Sequence, residues 1–77
     1  MPITAQDVRQ SLLASDSEYQ RLAEEHSRCE FQLEQIIKSS YLNAEDLLQE
    51  ATLKKRKLRL KDEMELIVAR QQHVASH

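Results

Sequence analysis

His26 and Cys29 stand three residues apart, so a helix through "HSRC" carries an imidazole and a thiol on one face. Such a pair is half of a zinc site, or a base beside a nucleophile. Zinc takes about four ligands, and Cys29 is the only cysteine in the chain. A catalytic thiol also needs a site that excludes water. The second stretch with chemical potential is "LKKRKLRLKDEM", Leu53 to Met64, which puts six basic side chains into eight positions before turning acidic. Basic side chains at that density could follow a phosphate backbone, or they could pair with carboxylates of the same fold. Which of these chemistries is available depends on the elements that hold the residues.

The composition narrows those elements. The chain has 77 residues, no glycine, one proline and 31% charged residues. Long helices suit that balance, because sheets and enzyme loops need turn residues. Without glycine there is no Gly-rich phosphate loop of the Walker or dinucleotide type. A formal net charge of −2 does not mark the whole chain as a nucleic-acid binder. A lone cysteine, no signal-peptide pattern and no apolar run of membrane-spanning length lead us to expect a cytoplasmic, non-membrane protein.

Ala5, Val8, Leu12, Ser15, Tyr19, Leu22, His26, Cys29, Leu33 and Ile36 recur by threes and fours, one helical stripe. Two helix starts compete along it: a cap at Thr4, and a capping box in "SDSE" at Ser15 to Glu18. A break near Ser15 is the favoured reading. "KSSYLNAED" has turn character, and Asn43 is a good N-cap before Glu45 and Asp46. Beyond it Leu47, Leu53, Lys57, Leu60, Met64 and Ile67 form a second stripe. The expected fold is all-α: one domain over 1–77 with a short helix at about 4–14, a helix at about 16–38, a turn at about 39–43, a helix at about 44–71 and a frayed tail at 72–77. So short a connection makes the two long helices an antiparallel hairpin of coiled-coil type. In that register Ile36 faces Leu47, Cys29 faces Leu53 and Lys54, His26 faces Lys57, Leu22 faces Leu60, and Tyr19 faces Met64.

The hairpin weighs the two chemistries. His26 and Cys29 both fall on the stripe, so packing accounts for them. With no cavity expected between two helices, neither catalysis, metal nor any cofactor is implied. Glu25 and Glu30 flank the seam opposite Lys54, Lys57 and Lys61, where charge pairs set partner and orientation. Glu50 to Lys54 and Lys61 to Glu65 add pairs within the second helix. Phe31, Ile37, Leu48, Leu58 and Leu66 are left off or at the edge of the stripe. A chain this short buries only about 60% of its unfolded surface, so these five are candidates for a surface that meets a second copy or a helical partner.

"RLAEEHSRCEFQLEQI" followed by "LKKRKLRLKDEM" resembles the YdcH-like family of small bacterial proteins, over roughly Glu18 to Ile67. Leu53, Lys54, Lys55, Lys57, Leu58, Leu60, Lys61 and Asp62 carry the resemblance, with Glu24 to His26 in support; Cys29 and Phe31 depart from the usual pattern. The resemblance implies an antiparallel helical hairpin and no known activity. The expectation is therefore a non-catalytic coiled-coil protein acting by association with itself or another protein. The alternative is a nucleic-acid-associated protein using the Lys/Arg-rich helix.

Overall fold

The computed structural model describes residues 3–39 and 43–75. Every regular element among them is an α-helix: α1 (Ala5–Ser15), α2 (Ser17–Lys38) and α3 (Ala44–Ala75). Local chemistry sets most of the ends. Thr4 is extended and forms a reciprocal cap. Its hydroxyl accepts the Asp7 N–H at 3.1 Å, and the Asp7 carboxylate accepts the Thr4 N–H at 3.3 Å.

The break between α1 and α2 is one residue long. Asp16, at φ −107° and ψ 113°, donates its N–H to the Leu12 carbonyl at 2.8 Å and so closes α1. The same residue opens α2, because its Oδ1 accepts the Tyr19 N–H at 2.8 Å. Ser15, expected as the cap, instead stays helical with its hydroxyl donated back to Ser11 O. Aspartate serves as well as serine at an N-cap, and it is Asp16, not Ser15, whose backbone is extended. Gln20 Nε2 then donates to Leu13 O at 2.7 Å, satisfying a carbonyl that the end of α1 leaves open. No described residue has a positive φ, so the bend requires no glycine.

α2 ends at Ser39, whose N–H is shared between Gln35 O and Ile36 O. The expected turn lies partly outside the described residues. At its far side Asn43 Oδ1 accepts the Asp46 N–H at 2.8 Å and starts α3. At about 1.5 Å per residue the 32 residues of α3 cover most of the 51 Å long dimension of the molecule. The helix continues through 72–75, which were expected to fray. Tertiary contact explains this: Val68 is buried against α1, and Gln72 Nε2 donates to Ile3 O at 3.3 Å.

The core has two parts. Leu22, Cys29 and Leu33 of α2 pack with Leu53 and Leu60 of α3, flanked by Ile36. Val8 and Leu12 of α1 pack with Tyr19 and Val68. Met64 and Ile67 touch both clusters and join them. Thus α1 covers α3 toward its C-terminal end, while the C-terminal part of α2 and the N-terminal part of α3 pair without α1.

Because Leu60 sits in the first cluster, Leu60→Ala should lower stability by about 2–5 kcal/mol, a large share of what so small a domain has. Leu48→Ala, at an exposed site, should stay within about 0.5 kcal/mol. Urea denaturation followed by helical circular dichroism checks both; equal losses would contradict this division of core from surface.

Candidate interaction surfaces

The seam residues of α2 lie where their spacing puts them: Tyr19, Leu22, Cys29 and Leu33 are buried, His26 and Ile36 partly so. On α3, Leu53 and Leu60 are buried, and Lys57, Met64 and Ile67 are partly buried. Leu47 is the exception. It is 55% exposed and does not face Ile36 in the core. At about 100° per residue Leu47 points about 120° away from Leu53, whereas Asp46 and Glu50 fall within about 60° of it. Asp46 and Glu50 are accordingly the partly buried positions of that stretch. Val68, 2% exposed, was missing from the stripe. Its i+8 spacing from Leu60 was the available signal, because a core-facing helix uses a band wider than strict threes and fours.

The basic run divides between two sides of the seam. Lys54, Lys57 and Lys61 line an open groove of about 840 Å³ between α2 and α3, together with His26, Glu30, Glu34, Leu33, Ile37, Lys38 and Leu58. Lys55, Arg56 and Arg59 line another, with Arg21, Glu25 and Glu63. Some of the expected pairing changes partners. Lys57 Nζ lies 3.4 Å from Glu30 Oε1, and His26 Nδ1 lies 3.5 Å from the same oxygen. The His26–Lys57 layer is thus bridged by a carboxylate. Glu25 faces Arg56, at a loose 3.9 Å, in place of a lysine. Lys54 turns to Glu50 on its own helix at 2.9 Å. Lys61 does not reach Glu65, because Arg9 of α1 holds that carboxylate through Nη2 at 3.2 and 3.3 Å. A guanidinium can contact both carboxylate oxygens, which an ammonium matches poorly. Among the described residues Lys55, Arg59 and Lys61 make no ion pair.

The five leftover apolar residues are all exposed. Ile37 and Leu58 share the groove beside Lys61. Phe31 lies with Leu13 and Ala23 in a groove of about 670 Å³. Leu48 and Leu66 stand about 140° around α3 from Leu53. Cys29 is a buried free thiol, and the described residues hold no group of three or more His, Cys, Asp or Glu placed to share a metal ion. No described helix is long and apolar enough to cross a membrane.

These features define a small all-helical chain with open grooves and charged rims. It belongs to the family described as "Protein of unknown function (DUF465)", whose model matches residues 20–68 and which includes the YdcH-like proteins. Neither the curated proteins nor the solved structures provide a match.

Burial raises the Tyr19 phenol above its ordinary value of 10.0, with the Arg9 guanidinium pulling it down and the Glu65 carboxylate pushing it up. A raised acid holds its proton longer folded than unfolded. Its contribution to stability is therefore complete below pH 10.0 and lost as pH rises from there through the folded value. Tyr19→Phe should flatten that alkaline decline in urea midpoint. An unchanged decline in the variant would remove Tyr19 as its source.

Proposed function

We propose that this protein is a non-catalytic antiparallel helical hairpin of coiled-coil type, cytoplasmic, acting by helix-mediated association with itself or with a helical protein partner. One observation carries the reading. Among the described residues nine large apolar side chains are exposed and nine hydrophobic residues are buried, so as many are left at the surface as in the core. Scattered exposed apolar residues are ordinary. Here they are numerous on a chain of 77 residues, whose own core is small enough to be marginal. Association would remove part of that surface from water.

The test is mass against concentration. Sedimentation should show a dimer or larger assembly at micromolar concentration, and the melting temperature should rise with concentration, because association stabilises by mass action. A chain that stays monomeric when concentrated, melts cooperatively and captures no protein would defeat the reading.

Lys55, Arg59 and Lys61, without an ion pair among the described residues, favour one second reading, a nucleic-acid-associated protein. Against it stand Glu25, Glu30 and Glu50, which already occupy Arg56, Lys57 and Lys54. Duplex binding is expected to be weak, about 10⁻⁴–10⁻⁶ M at physiological salt, and indifferent to sequence. A sub-micromolar complex whose salt slope falls on Lys55→Ala or Lys61→Ala would put this reading first.

A further inference from the structure

The groove between α2 and α3 has two unlike edges. Its apolar part is Leu33, buried, with Ile37 and Leu58, which remain 64% and 65% exposed. Its α2 edge carries Glu30 and Glu34, and its α3 edge carries Lys54, Lys57 and Lys61. The 3.4 Å contact between Glu30 and Lys57 sets the two edges level with each other. We propose that a second copy of this chain occupies this groove, related to the first by a two-fold axis parallel to the long helices, so that four helices enclose Ile37 and Leu58 of both copies. This deepens the association reading above and rests on it.

Symmetry supplies the argument. A two-fold dimer meets through the same patch on each copy. Turning the second copy about an axis across the helices lays α2 on α2 and α3 on α3, which sets lysine edge against lysine edge. Turning it about an axis along the helices lays each α2 on the other copy's α3. The glutamate edge then meets the lysine edge twice, with Glu30 level with Lys57 of the other copy and Glu34 close to Lys54. Lys38 is the one opposing charge on the α2 edge, and Glu34 already holds it at 3.0 Å. Lys61, which makes no ion pair among the described residues, lies about one turn from Glu30 of the other copy. α1 leaves the groove open, because its contacts with α3 centre on Val68, past the lysines. The apolar centre supplies the affinity in this arrangement. The flanking charges choose the orientation, as rim charges generally do.

Sedimentation equilibrium on the full chain tests the proposal. Wild type should dimerise, and Leu58→Glu should raise the dissociation constant by about tenfold or more, since it places a charge at the centre of the contact. Phe31→Glu, at a site nearly as exposed but in a different groove, should change it by less than about twofold. The charge pattern has its own arm. Glu30→Lys with Glu34→Lys, and Lys54→Glu with Lys57→Glu, should each abolish self-pairing, while an equal mixture of the two variants should form a one-to-one dimer. Circular dichroism checks that each variant is helical; if a charge variant unfolds, the comparison of Leu58→Glu with Phe31→Glu decides. A dimer that survives Leu58→Glu but not Phe31→Glu overturns the proposal and leaves the association reading standing. Folded charge variants that fail to pair when mixed overturn the axis. A wild-type chain that remains monomeric at millimolar concentration overturns the proposal and the self-association half of that reading, leaving only a partner of another kind.

Discussion

The apolar stripe of α3 has to serve two cores. Leu53 and Leu60 pack against α2, and Val68 packs against Val8, Leu12 and Tyr19. Met64 and Ile67 lie between and touch both clusters. If that stripe fails, α2 loses its long partner and α1 keeps only its contact with α2 around Tyr19. Single turns and caps cannot replace it, since short isolated helices are marginal in water. The length of α3 follows from the same demand, for it has to run past α2's core to reach α1.

Having one stripe also leaves surface uncovered. α1 shields the seam near Val68 but not at the opposite end of α3, where Ile37, Leu47, Leu48 and Leu58 stay exposed. The charges do not compensate energetically. The ion pairs of the basic run lie between exposed or partly exposed side chains, and pairs of that kind contribute about 0–1 kcal/mol each. What they alter is the field. Three of the six basic side chains are held by carboxylates, and the run is split between two sides of the helix.

The Arg9–Glu65 pair has a similar double effect. It ties α1 to α3, takes Glu65 away from Lys61, and places opposite charges beside the buried Tyr19 phenol. Lys61 is left on the edge of a groove with an exposed apolar floor.

Local chemistry made much of this legible from the residues alone. Thr4 with Asp7, Asn43 with Asp46, and the three-four spacing through Leu33 are decided within a few neighbours, so propensity and capping suffice to find them. The break between α1 and α2 was readable for the same reason, though it fell at Asp16 and not Ser15. Tertiary structure decided the rest. Leu47 is exposed because the α3 side of the core is anchored on Leu53 and Leu60, and Val68, at 2% exposure, is buried where α1 packs on it. Arg9 and Glu65 are 56 positions apart, and no local rule links them. Phe31 and Leu58, grouped together in sequence, line different grooves, because distance along a helix does not say which side of its neighbour a residue will meet.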